Sequence, residues 1–236
     1  MQNSPRYAVY FMPQVDSGLW RFGSQVIGYN ATDPLRSVLA PDDPFAVARE
    51  AGAFADPARY GFHATLKAPF ELAAGITEDG LLRAARAFAA SAIPFPLGRL
   101  RVARLRHFLA LVPVSPPPAL EALAARCVEE FDSFRAPLSA ADRARRLQSP
   151  LPATELANLD RWGYPYVFEQ FNFHMTLTGP LPAGQIEVIE AQLSAIYRPV
   201  DDDVLLDGIA IFKQPDRASR FCVVERMAFF RKPAIY

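Results

Sequence analysis

The sequence predicts an α+β fold built twice over. It reads as one bilobal domain of 236 residues, with a first lobe over about 1–115, a helical linker over about 116–165 and a second lobe over about 166–236. Three observations predict it. Apolar residues make up 51 % of the chain, enough to bury a sizeable core. The phrase YGFHATLKAPF, Tyr60 to Phe70, returns in near-copy as FNFHMTLTGPL, Phe171 to Leu181. After each copy the elements follow in one order: His strand, helix, strand, strand.

The opening run RYAVYFM is rich in aromatic and β-branched residues and reads as a strand. The first His phrase is apolar at alternate positions and reads as a strand ending at Pro69. A helix starts near Thr77, with Glu78 and Asp79 suited to its N-terminus and Leu81, Leu82, Ala85, Phe88 and Ala89 as its apolar set. LGRLRVARLRHFLALVPV, from Leu97, reads as a strand pair. In the linker, SPPPALEALAARCVEEF places prolines before an amphipathic helix with Leu120, Leu123, Ala124, Cys127, Val128 and Phe131 on its apolar face. Ser139 with Asp142 resembles a capping box opening a charged helix, SAADRARRLQ, and these helices join or cover the lobes.

The second His phrase reads as a strand ending at Pro180, and the helix after it carries Ile186, Ile189, Leu193 and Ile196 at helical spacing. A strand pair from Asp207 closes the repeat with RFCVVERMAFF as its second run. Two lobes related by a rough twofold set the two His strands facing each other across a cleft.

Two of the three histidines lie in these phrases, each followed two places later by threonine. Residues i and i+2 of a strand share a face, so His63 projects with Thr65 and His174 with Thr176. Ala64, Leu66, Met175 and Leu177 take the apolar side. A metal site normally wants three protein ligands, and threonine is a poor one. There is no Gly-x-Ser-x-Gly elbow for a serine nucleophile and no glycine-rich phosphate loop. Acid/base chemistry fits the pattern better: one imidazole takes a proton from the attacking oxygen while the other gives one to the leaving oxygen. The threonine hydroxyls and nearby backbone amides donate to the non-bridging phosphoryl oxygens.

Lysine plus arginine equals aspartate plus glutamate at 25 each, so no bulk positive field gathers a polyanion or an anionic membrane. The start MQNSPRYAVYF lacks a signal-peptide pattern, and no apolar run approaches the roughly 20 residues of a membrane span. A cytoplasmic protein is expected. Cys127 and Cys222 have no metal spacing and read as reduced structural thiols.

His63-Ala-Thr65-Leu66 and His174-Met-Thr176-Leu177 resemble the paired His-x-Thr-hydrophobic motifs of the two-histidine (2H) phosphoesterase superfamily. The resemblance covers almost the whole chain. It implies two antiparallel sheets with outer helices around a central cleft, and an enzyme that opens cyclic phosphodiesters without a metal or other cofactor. His63, His174, Thr65 and Thr176 would be its catalytic residues. GFHATLKAPF, the long linker and QFNFHMTLTGPL further resemble a bacterial family of phosphonate-metabolism proteins, which implies a small sugar or nucleoside phosphate ester as substrate.

Around the motifs, Lys67 continues the polar face to a phosphate, with Thr178 in its place in the second phrase. Tyr60 and Phe171, three places before each histidine, flank the cleft for stacking, and Arg220 is a candidate phosphate contact. Trp162, Tyr164 and Tyr166 are candidates for a cleft wall, and His107 for its rim. Two other readings stand beside the cyclic phosphodiesterase. An RNA-end enzyme, a 2′–5′ ligase or polynucleotide cyclic phosphodiesterase, would use an arginine stripe at Arg99, Arg101, Arg104 and Arg106; the balanced charge counts against it. The other is a non-catalytic module that binds a phosphorylated metabolite.

Overall fold

A computed structural model describes residues 4–197 and 203–230. In chain order it contains β1 (Arg6–Phe11), α1 (Gly18–Ile27), α2 (Ala46–Glu50), α3 (Ala55–Tyr60), β2 (Ala64–Glu71), α4 (Glu78–Ser91), β3 (Phe95–Gly98), β4 (Leu100–Leu105), β5 (Phe108–Pro113) and α5 (Pro118–Glu130). There follow α6 (Ala140–Arg146), α7 (Ala153–Trp162), β6 (Met175–Thr176), α8 (Ala183–Ile196), β7 (Val204–Leu206), β8 (Gly208–Gln214) and β9 (Cys222–Ala228). The fold is α+β: a seven-stranded sheet of order β4-β5-β6-β2-β1-β8-β9, and a two-stranded sheet β3-β7.

Local chemistry explains where the helices begin. The Thr77 side chain accepts from Gly80 N at the start of α4, Ser139 from Asp142 N at the start of α6, and Pro118 occupies the first turn of α5. The apolar sets expected for α4 and α5 are buried. In α8, Ile186, Ile189 and Leu193 are buried, while Ile196, in the last turn, is exposed. The duplicated order is present with one addition. Each His strand leads to a helix and then to three strands, and the first and shortest of these, β3 and β7, pair with each other.

The repeats exchange their hairpins, which corrects the division into contiguous lobes. β4–β5, from the first repeat, pairs with the second His strand β6. β8–β9, from the second repeat, pairs through β1 with the first His strand β2. The chain order hides this because strand pairing is set by which apolar faces meet, not by nearness in sequence. The two His strands also do not face each other across a gap. They are antiparallel neighbours joined at Ala64↔Met175, where the two halves of the sheet meet edge to edge.

Two strand ends differ from expectation. β2 runs on past Pro69, which is tolerated because the register slips between Tyr7↔Phe70 and Val9↔Lys67, leaving a bulge where proline's missing N–H breaks no ladder bond. β6 is only two residues long. Beyond it Leu177 N and Thr178 N both donate to Leu109 O, and the Thr178 hydroxyl accepts from Leu109 N at 3.0 Å, so a side chain replaces the ladder.

The linker covers the part of β2 that β6 leaves open. Ala136 N donates to Glu71 O and Ala73 N to Phe134 O, while α5 lies across β2. Among the described residues no helix is long and apolar enough to cross a membrane. Cys127 is buried, Cys222 is partly buried, and both are free.

Candidate active site

The single pair Ala64↔Met175 places four side chains. Carrying the antiparallel register one residue either way sets His63 opposite Thr176 and Thr65 opposite His174, on the face away from Ala64 and Met175. Directly opposed residues have Cβ atoms about 4.5–5.5 Å apart. Each histidine therefore has its own threonine two places on and the other repeat's threonine across the strand. Ala64, Met175 and Leu177 are fully buried and Leu66 nearly so, which pins the opposite face in the core and fixes which side the imidazoles take.

Both imidazoles are oriented by one device. His63 Nδ1–H donates to Gly61 O at 2.8 Å, and His174 Nδ1–H donates to Asn172 O at 2.8 Å. With Nδ1 protonated, Nε2 carries the lone pair in each neutral ring. His63 Nε2 accepts from the Thr65 hydroxyl at 3.3 Å. Gly61 is needed for this: its φ of 81° is left-handed, and a Cβ there would stand 2.8 Å from Ala31 Cβ.

The surroundings separate the two histidines. His63 stacks on Tyr10 at 3.7 Å between ring centroids and 21° between planes, with Phe212 at 6.1 Å and Tyr60 at 6.4 Å. This burial pushes the imidazole down to about 4, against the pull of the Gly61 carbonyl, and neighbouring His174 depresses it further. His174 is also lowered by burial, opposed by the Asn172 carbonyl, and among the described residues its one aromatic ring contact is Phe108, at 5.8 Å.

A cavity of about 560 Å³ opens beside His174, with Thr65, Phe108 and Phe171 also in its lining, while His63 and Thr176 lie outside that lining. Arg104 and Arg106 line it from the β4–β5 hairpin, and Tyr164 and Tyr166 from the linker. The expected wall is thus present in part. Trp162 stands apart, edge-on to Phe168 at 5.2 Å, and His107 is an exposed residue of the β4–β5 turn. Tyr60 reaches the His63 side, stacked on Phe221 at 5.3 Å. Arg104 and Arg106 stood out in the sequence only as part of a stripe, because their place on the cavity depends on the hairpin exchange.

Three expected substrate contacts are placed elsewhere. A second register slip puts Thr65 opposite Tyr10 but Lys67 opposite Val9, so the alternation linking His63, Thr65 and Lys67 is broken and Lys67 turns to the other side. Its amine donates to Val128 O at 2.8 Å and Asp132 Oδ1 at 3.1 Å, and the side chain is 4 % exposed. Thr178 is fully buried, its hydroxyl spent on Leu109 N. Arg220 is exposed, lies over the Tyr29 ring at 4.9 Å, and is not in the cavity lining.

Lys67 is therefore a structural cation, and Lys67→Met is expected to lower stability by roughly 1–3 kcal/mol while Asp132 keeps Arg135 as a partner. Thermal unfolding combined with substrate kinetics checks this. An unchanged Tm with a raised KM would return Lys67 to the substrate.

The sequence matches the family described as Protein of unknown function (DUF1045) over residues 65–222. Among curated proteins, the ribose 1,5-bisphosphate phosphokinase PhnN of Janthinobacterium sp. (strain Marseille) is 43 % identical over 237 residues, covering 97 % of this chain and 51 % of that protein. Its namesake from Laribacter hongkongensis (strain HLHK9) is 36 % identical over 221 residues, covering 92 % of this chain and 50 % of that protein. The chain spans about half the length of these relatives. Among solved structures, E. coli LigT complexed with 3′-AMP aligns with TM-score 0.44 and 14 % identity over 97 % of this chain and 99 % of that one. A structure described as a phosphoesterase aligns with TM-score 0.42 and 14 % identity over 96 % of this chain and 99 % of that one.

Proposed function

The chain belongs to the DUF1045 family of proteins of unknown function, and from that premise and its crossed histidine pairs we propose that it is a metal-independent phosphoesterase that opens a small cyclic phosphodiester. One observation carries the reading: two imidazoles share a face, each held through Nδ1–H by a carbonyl two residues earlier, so that Nε2, which on His63 accepts from the Thr65 hydroxyl, is the nitrogen placed for proton transfer.

His63, the more depressed of the two, is the base, and His174 is the acid. Water attacks phosphorus as His63 Nε2 takes its proton. The bond from phosphorus to one ring oxygen breaks, and protonated His174 supplies that oxygen with a proton. The product is a phosphomonoester with a free hydroxyl, and proton exchange with solvent resets both rings. The Gly61 carbonyl stabilises the imidazolium formed on His63, while Thr176, and Thr65 once its hydroxyl turns from His63 Nε2 to the substrate, donate to the non-bridging oxygens. The cavity walled by Phe108, Phe171, Tyr164 and Tyr166 holds the rest of a small ester.

The curated relatives carry a kinase name, and this chain spans about half of each. We assign that kinase step to the half not matched here, because this sequence contains no Gly-x-x-x-x-Gly-Lys-Ser/Thr phosphate loop. Their named substrate puts ribose phosphates first among esters to try, in keeping with a role beside phosphonate utilisation.

Hydrolysis of ribose cyclic phosphates and nucleoside 2′,3′-cyclic phosphates in excess chelator tests the reading. Turnover that survives the chelator supports it, and loss of turnover on chelation, or no turnover at all, overturns it. The pH dependence has a worked sign. His63 must be neutral, so kcat/KM rises as pH climbs through about 4. His174 must be protonated, so kcat/KM falls through a value below the usual 6.5. The optimum of kcat/KM is thus acidic, and kcat, read on the complex, extends to higher pH because a bound anion raises the acid. A kcat/KM optimum above pH 7 contradicts the assignment.

Exposed Arg101, Arg104 and Arg106 on the β4–β5 hairpin favour one second reading, an RNA-end enzyme. Affinity for an oligonucleotide that falls steeply with salt would select it.

A further inference from the structure

Beyond the four motif residues, a cation packed on the cavity wall has a polar atom without a partner among the described residues. Arg146, at the end of α6, has its Nε buried with no hydrogen-bond partner among the described residues. Its guanidinium lies over the ring of Tyr164, 4.9 Å from the centroid. Tyr164 lines the histidine cavity, and Tyr60, which Arg146 also senses electrostatically, flanks His63 at 6.4 Å. A buried polar atom left unpaired costs stability, and one beside a candidate active site calls for a ligand.

The charges around Arg146 are unbalanced in the same sense. Asp142 is held by Arg217 at 2.8 Å and by Arg145 at 2.5 Å, and Glu71 by Arg217 at 2.8 Å. Arg6, within electrostatic reach of Arg145 and Arg217, is 8 % exposed and hydrogen-bonds the neutral amide of Gln214. Four guanidiniums thus share two carboxylates, and Asp142, which Arg146 also senses electrostatically, is hydrogen-bonded or ion-paired to Arg145 and Arg217 instead. Arg6, Glu71, Asp142 and Arg217 line, together with Tyr164, a second cavity of about 50 Å³, and an excess of fixed cations there is what a multiply charged anion requires, since guanidinium geometry suits phosphate.

We propose that Arg146 holds a second phosphate of the substrate, so that the ester opened at the histidines belongs to a sugar that carries a separate phosphomonoester. This rests on the phosphoesterase reading above and narrows its substrate class. Tyr164 links the two places, since it carries the guanidinium on its ring and lines the cavity that His174 also lines, and the sugar joining the two phosphates would pass along it. The same terminal phosphate occurs on a free sugar or on a nucleotide, and the substrates below separate these sources.

The experiment compares wild type, Arg146→Gln and Arg146→Lys on matched substrates: ribose cyclic phosphates with and without a 5-phosphate, and adenosine 2′,3′-cyclic phosphate with and without a 5′-phosphate. Wild type is expected to favour the phosphorylated member of a pair in kcat/KM. Arg146→Gln should shrink that ratio by at least about tenfold, with Arg146→Lys between, as for loss of a charge-assisted hydrogen bond. Preference confined to the ribose pair assigns a free sugar phosphate, and preference in the adenosine pair assigns a nucleotide. A ratio that Arg146→Gln leaves unchanged, whatever happens to Tm, overturns the proposal and leaves Arg146 as packing for Tyr164.

Calorimetric titration with ribose 5-phosphate reads the anion site without turnover. At least tenfold weaker binding by Arg146→Gln upholds the site even if no ester is hydrolysed, in which case the phosphoesterase reading alone fails. Equal binding by wild type and Arg146→Gln overturns the site even if esters are hydrolysed.

Discussion

His63→Ala and His174→Ala are each expected to lower kcat/KM for the cyclic ester by at least about a hundredfold, since each removes one of two concerted proton transfers, worth about 10² to 10⁴ apiece. The double variant should lose much less than the product of the single losses, because a base without its acid has little left to contribute. Activity that survives either single change within about threefold would remove that histidine from the chemistry.

The two variants should differ in stability. His63 stacks on Tyr10 and its loss opens a hole in the aromatic wall, whereas the one ring contact of His174 among the described residues is the looser, tilted one with Phe108. His63→Gln keeps a polar side chain of similar bulk and separates lost packing from lost chemistry. The linkage has a definite sign. With His63 at about 4 folded and near 6.5 unfolded, the unfolded chain binds the extra proton between those values. Wild type therefore loses stability as pH falls from about 6.5 toward 4, and the variants lack that part of the loss. Unfolding measured across this range should show the stability gap between wild type and His63→Gln moving in the variant's favour as pH falls.

Gly23→Ala is expected to be the most damaging single methyl addition outside the motifs. A Cβ at Gly23, in the middle of α1, would stand 2.2 Å from Cγ and Cδ1 of Phe62, whose ring is fully buried. The ring has nowhere to go, so α1 or the segment carrying Phe62 must shift, at a cost of about 3 kcal/mol or more. Phe62 directly precedes His63, and a displacement of about 1 Å at a catalytic group is worth on the order of a hundredfold in rate. Thermal unfolding and kinetics should fall together. Gly184→Ala in α8, with nothing within 4 Å of its Cβ position, is the control, and helix propensity predicts a neutral or slightly stabilising effect. A Gly23→Ala protein as stable and active as wild type would mean that Phe62 does not fix the position of His63.

Much of the candidate site was legible in the sequence. The repeat marked both histidines and both threonines, strand periodicity put each pair on one face, and Thr77, Ser139 and Pro118 announced their helices. Lys67 was misplaced because periodicity assumes an unbroken ladder, and a one-residue slip sends the next side chain to the opposite face. Thr178 has the chemistry of Thr176, and only the shortness of β6 turns its hydroxyl to Leu109 N. Arg146 left no signal, since it ends a run of charged residues that reads as a solvated helix face.

The sequence by itself determined the α+β class, the duplication and the four motif residues, because these rest on local periodicity and on a phrase stated twice. Only the tertiary structure decided that the His strands are neighbours, that the repeats trade hairpins, and that His63 is held further from protonation than His174. Those depend on which faces pack together and on what each ring is buried against, and both are set by residues far apart in the chain.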